Sequence, residues 1–100
     1  MNQEIKLNRY YQHRDGGLYY TEYISTSTVD KSVSVVYHHV YPFEYKTWHK
    51  PIQEWTDERF KMLTLEEAKI ILNKDQQKFM EEILSNKHQR KLNEETSNKA

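Results

Sequence analysis

The chain has five histidines, fifteen acidic side chains and no cysteine, and these set the chemistry it can attempt. Without cysteine it forms no disulfide, offers no thiolate and lacks the common Cys-based zinc sites. His38 and His39 are adjacent, and adjacent side chains on a strand point to opposite faces, so the two do not readily share one metal ion. His13, one of that pair and His49 could meet inside a small barrel, but their spacing follows no metal-ligand pattern. No metal and no other cofactor is expected. Hydrolysis needs a nucleophile beside a base, or two carboxylates facing one pocket. There is no glycine–serine elbow, and the acids are scattered over polar stretches. The best acid–base pair is His13 with Asp15. Both also suit a turn, the carboxylate accepting from backbone amides and the imidazole packing beside Tyr11. A protein that is not an enzyme is expected.

His13 and Asp15 belong to RYYQHRDGGLYYTEY, residues 9–23, which holds both glycines and five of the eight tyrosines. A phosphate-binding glycine loop must lead from a strand into a helix, so that the helix N-terminus meets the anion. Here LYYTEYIST follows Gly17, and that run has strand composition. Asp15-Gly16-Gly17 therefore reads as a tight turn between two extended segments.

The aromatic residues offer more. Twelve of the thirteen lie between Tyr10 and Phe60, too many for the inside of a small barrel, so several must reach the surface. Exposed Tyr and Trp beside Lys and His make a stacking surface for a base or a peptide. The candidates are Tyr11, His13, Tyr37, Tyr41, Trp48 and Lys50. Tyr37 and Tyr41 share one strand face, and Trp48 and Lys50 share another. Taken alone, Trp48 suits the centre of the core, because a single Trp in a short strand usually packs inside.

The elements that must position these residues divide the chain. Leu18 to Thr28 has strand composition, and SVSVVYHHVY is the strongest strand signal, ending at Pro42. A shorter strand runs through Thr47 to Lys50, with Pro51 confining it to an edge or an end. Thr64 and Glu67 in TLEE form a capping box that starts a helix. Leu65, Ala68, Ile71 and Leu72 make one apolar stripe, and Phe79, Met80, Ile83 and Leu84 make a second. Between them NKDQQ has no apolar residue, so either one long helix runs through or Asp75 caps a second helix. Phe79, Met80, Ile83 and Leu84 then need another surface. A second copy of the chain, in a homodimer through this helix, is the expected surface; the alternative is the protein's own sheet, if the helix folds back. The expected organisation is a β-rich unit over 1–63, a helical extension over 64–92 and a disordered tail over 93–100.

Bulk properties narrow the function. Residues 1–63 carry eight basic and eight acidic side chains, and 64–100 carry seven of each, without the basic excess of a non-specific nucleic-acid binder. The start, MNQEIKLNRYY, lacks the apolar stretch of a signal peptide, and no run approaches a membrane span. A cytoplasmic protein without membrane contact is expected.

The pattern Tyr11-x-His13-x-x-Gly16-Gly17-x-Tyr19, then Val35-Val36-Tyr37, Tyr41 and Trp48-x-Lys50-Pro51, resembles an uncharacterised family of small bacterial and phage proteins with an SH3-like barrel. The resemblance covers about Tyr10 to Phe60 and excludes the helical part. This chain has Lys50 where the family commonly has Arg, which removes a planar fork for anions. Its turn Thr28-Val29-Asp30-Lys31 also lacks the family's usual Thr-Glu pair. The resemblance implies a mainly β fold, a small SH3-like barrel here followed by one long or two short helices. It supplies no established activity. By fold analogy, the expected function is a non-enzymatic protein-interaction module, in a phage setting an inhibitor of a host protein. The alternative is a protein that binds a nucleotide or nucleic acid by stacking bases on Tyr and Trp.

Overall fold

The structure, a computed structural model, describes residues 5–98. Five strands come first: β1 (Tyr10–His13), β2 (Leu18–Thr26), β3 (Val33–Tyr41), β4 (Lys46–Pro51) and β5 (Phe60–Met62). Two helices follow, α1 (Leu65–Leu72) and α2 (Gln76–Asn98). The strands form one antiparallel sheet in the order β4-β3-β2-β1-β5. After β4 a 3-10 turn at Ile52–Glu54 carries the chain across, and β5 pairs with β1, Phe60 lying opposite His13. The sheet is strand-rich and accompanied by helices, as expected, but it is not closed. Among the described residues β5, three residues long, pairs with β1 alone, and β4 remains a free edge.

Alternation along β2 separates two cores. Leu18 points to one side, where it meets Leu63, Ala68, Ile71, Phe79 and Ile83. Tyr19 points to the other and packs on Tyr11, Val35, Tyr37, Trp55 and Phe60. Trp55 is the central indole of this aromatic core. It is fully buried and stacks on Phe60 with centroids 3.8 Å apart and planes 5° apart. The single-Trp argument thus picked the wrong residue: Trp48 lies on the edge strand and is 47% exposed.

The capping box is present. Thr64 Oγ1 accepts from the Glu67 amide at 3.1 Å, and the Thr64 amide donates to Glu67 Oε1 at 2.9 Å. The helix does not run through. It ends at Asn73, and Asp75 starts α2, its carboxylate accepting from the Lys78 amide at 2.9 Å. That break decides the fate of the second apolar stripe. It lets α2 turn back, so Phe79 and Ile83, expected at a contact with a second copy, are buried in the protein's own core. Met80 is half-buried, and Leu84 stays 55% exposed. The helical part therefore shares a core with the sheet. α2 also continues to Asn98, so the tail expected from Asn93 is helical to that point, while residues 99–100 lie outside the described ones.

Candidate functional site

The glycine stretch makes the turn between β1 and β2. The His13 amide donates to the Gly17 carbonyl at 2.9 Å, and the Gly16 amide donates to the His13 carbonyl at 2.8 Å. Gly16 has φ +122°, a region glycine alone enters freely. A Cβ there would also lie 2.9 Å from Ile83 Cγ1. The glycine is thus required twice, by the backbone and by the close approach of α2.

α2 is held at this turn by polar contacts. Arg90 grips Asp15 with two bonds of 2.9 Å, Nε to Oδ1 and Nη2 to Oδ2. Asn86 Nδ2 donates to the Asp15 carbonyl at 3.1 Å. Phe79, Ile83, Asn86 and Arg90 follow helical spacing, so one face of α2 changes from apolar to polar as it passes the turn. Burial pushes the Asp15 carboxyl upward. The Arg90 hydrogen bonds, with the charges of His13, Arg90 and Arg14, outweigh it and hold the group below its usual value of 3.8.

Beside this latch, between the sheet and α2, opens a cleft of about 690 Å³. Its floor is the rim of the aromatic core: Tyr19, Tyr37, His39 and Phe60. Tyr19 meets Tyr37 edge-on at 5.5 Å and His39 at 4.8 Å. Lys46, Trp48 and Lys50 of β4 form one wall, and Ile83, Leu84 and Lys87 of α2 form the other. Cross-strand register explains the first wall, because Lys46, Trp48 and Lys50 lie opposite His39, Tyr37 and Val35 on one face. The Lys46 ammonium sits 5.1 Å from the Trp48 ring centroid.

Two histidines line the cleft, and burial disfavours the charged form of both. His13 Nδ1 accepts from the Asp15 amide at 3.1 Å, and burial lowers its pKa to about 4 despite the opposing Asp15 charge. His39 Nε2 accepts from the Phe43 amide at 3.0 Å, and burial lowers its pKa as well. Burial, with Tyr19 and Glu54 adding to it, pushes the Tyr37 hydroxyl up to about 12. The His13–Asp15 pair singled out as an acid–base couple lies 3.5 Å apart, with the carboxylate committed to Arg90.

Four of the six candidate binding residues, His13, Tyr37, Trp48 and Lys50, converge on this cleft. Two do not. Tyr11 is fully buried behind it, stacked edge-on against Trp55 at 5.2 Å, with its hydroxyl accepting from the Lys6 amide. Tyr41 leaves the face of Tyr37 because the β2–β3 register shifts between Leu18 and Tyr19. The shift sets Tyr41 opposite Leu18 in the helix-side core, where its hydroxyl donates to the Lys74 carbonyl. Tyr19, His39, Lys46, Lys87 and Arg90 were not singled out as site residues from the sequence. Strand period two from Trp48 would have found Lys46, and from Tyr37 it would have found His39. Nothing in the sequence signals that Arg90 meets Asp15.

The opposite face of the sheet carries a second cleft, of about 770 Å³, lined by Tyr10, Tyr20, His38 and Tyr45 among others and by none of the six candidates. There Glu22, the extra residue of a β-bulge, bonds His38 Nε2, and Thr47 Oγ1 bonds His38 Nδ1 at 2.9 Å. His38 and Thr47 are directly opposed across β3 and β4, so this relay ties three strands together. Among the described residues no cluster of three or more His, Asp or Glu side chains suits a metal ion, and no helix is long and apolar enough to cross a membrane.

Comparison with protein-family models, with curated proteins and with solved structures finds no match to this chain.

Proposed function

We propose that this protein is a non-enzymatic interaction module that takes a segment of a partner protein into the cleft between β4 and α2. The observation carrying this is Trp48, a large aromatic side chain left half exposed on an edge strand, at the mouth of a cleft floored by other aromatic rings. Exposed Trp and Tyr over a partly apolar pocket are the usual anchors of protein recognition. The state of the titratable groups supports a non-enzymatic role. Asp15, His13 and His39 are all engaged by the protein's own donors.

The resemblance to small SH3-like proteins of bacteria and phages is part of the proposal. Support comes from the four-strand meander, the 3-10 turn before β5 and the return of β5 to β1. A cytoplasmic inhibitor of a host protein is the biological role this reading favours. A second reading, a nucleotide stacked on Tyr or Trp, draws on the three lysines around the cleft, Lys46, Lys50 and Lys87.

Selection of random dodecapeptides displayed on phage tests the first reading. The wild-type chain is expected to enrich peptides that Trp48→Ala and Leu84→Asp no longer hold. Both positions are exposed, so the fold should survive. Failure to enrich any peptide, together with saturable quenching of Trp fluorescence by adenosine monophosphate, would move the assignment to the nucleotide.

A further inference from the structure

Among the described residues β4 is the last strand of the sheet and bonds only β3. Half of the backbone amides and carbonyls on such a strand face outward and can template another strand. Proteins usually blunt an edge with lysine, proline or a covering element. β4 has two lysines and Pro51, but between the lysines it presents Trp48 to solvent. An exposed indole is the opposite of a blunting device. Nothing about folding requires it, since the core indole is Trp55.

The charge around Trp48 is one-sided. Lys46, Lys50 and Lys87 line the cleft and, among the described residues, none is in an ion pair. The carboxylates there are Glu44 and Asp15, and Asp15 is neutralised by Arg90. Three ammonium groups therefore face one free carboxylate. An outward-facing edge offers donors and acceptors in alternation. A peptide backbone matches both, whereas a phosphate backbone supplies acceptors only.

We infer that the free edge of β4 accepts an acidic, extended segment of a partner protein as an added strand. One apolar side chain seats beside Trp48, and carboxylates two residues to either side meet Lys46 and Lys50. This rests on the protein-binding reading above. The spacing follows from the strand. Lys46 and Lys50 are four residues apart, about 13 Å, on the face that also carries Trp48. The pattern acid-x-apolar-x-acid is symmetric, so it fits a parallel or an antiparallel addition equally.

The test uses a capped, fluorescein-labelled nonapeptide, Thr-Thr-Glu-Thr-Phe-Thr-Glu-Thr-Thr, read by anisotropy against the full chain. It should bind roughly tenfold or more tighter than the same peptide with lysine for both glutamates. Lys46→Glu with Lys50→Glu should reverse that preference. Two N-methylated peptides complete the set, one methylated on the glutamate and phenylalanine amides and one on the threonine amides between them. Amides on successive residues face opposite edges of a strand, so one of these peptides should lose binding and the other keep it. Equal binding by the acidic and basic peptides, or full binding by both methylated ones, would overturn the inference. So would no binding of the nonapeptide beside cleft-dependent capture of library peptides, and that result would leave the protein-binding reading standing. If the library yields nothing either, both fail.

Discussion

Asp15 and Arg90 set the local stakes at the turn. Removing the guanidinium leaves a carboxylate that is nearly buried and has lost both of its charge-assisted bonds. Arg90→Met should therefore lower stability by about 2–3 kcal/mol, somewhat less than for a fully enclosed pair. Denaturant melts would show this, and adding Asp15→Asn should recover part of the loss if the cost lies in the stranded charge. His13 governs a different range of pH. Its folded pKa, about 4, lies below the ordinary 6.5, so between these values the unfolded chain binds a proton that the folded one excludes. Stability is then greatest above pH 6.5 and declines on acidification toward pH 4, by on the order of 2–3 kcal/mol for His13, with His39 acting in the same direction. Asp15 acts lower still. Its depressed carboxyl gives stability that is complete above 3.8 and lost as pH falls beneath it. Melts repeated from pH 7.5 to pH 4 should slope downward in wild type and noticeably less in His13→Phe, and an unchanged slope would remove His13 from this role.

At the scale of elements, α2 shows how local pattern and tertiary contact diverge. Its apolar residues stop at Leu84 until Leu92, so the sequence alone gives no cause for the helix to continue against anything. It continues because Asn86 and Arg90 take over the same face and bond the turn. Phe79 and Ile83 serve the inner core, so Phe79→Asp or Ile83→Asp should cost at least about 3 kcal/mol. The loss should appear as a lower melting temperature that does not depend on protein concentration. A variant that melts like wild type but sediments at a lower mass would instead place these side chains at a contact between copies. The capping box at Thr64 and the turn at Gly16-Gly17 were legible because each is a short-range rule acting within four residues. The break at Asn73 was legible only as one of two options, since Asp75 caps a helix just where a continuous one was equally consistent.

For the whole molecule, composition and alternation sufficed for a strand-rich part followed by helices and for Trp48 and Lys50 sharing a face; that His13 and Tyr37 join them at one cleft emerges only from the fold. They did not suffice for closure, because whether β4 finds a partner depends on the length of β5, only three residues, and not on the character of β4. Tyr41 and Tyr11 were misplaced for related reasons. One bulge in the β2–β3 ladder reverses the face of every residue beyond it, and burial of one tyrosine rather than its neighbour depends on which face receives Trp55. The grip of Arg90 on Asp15 joins residues 75 positions apart. During synthesis the hairpin carrying Asp15 emerges early, and its carboxylate waits in water for a helix made much later. Closing a loop that long carries an ordering cost that the hairpins of the sheet do not bear. α2 also supplies one wall of the cleft, so the same long-range grip that fastens the helix to the turn holds that wall in its place.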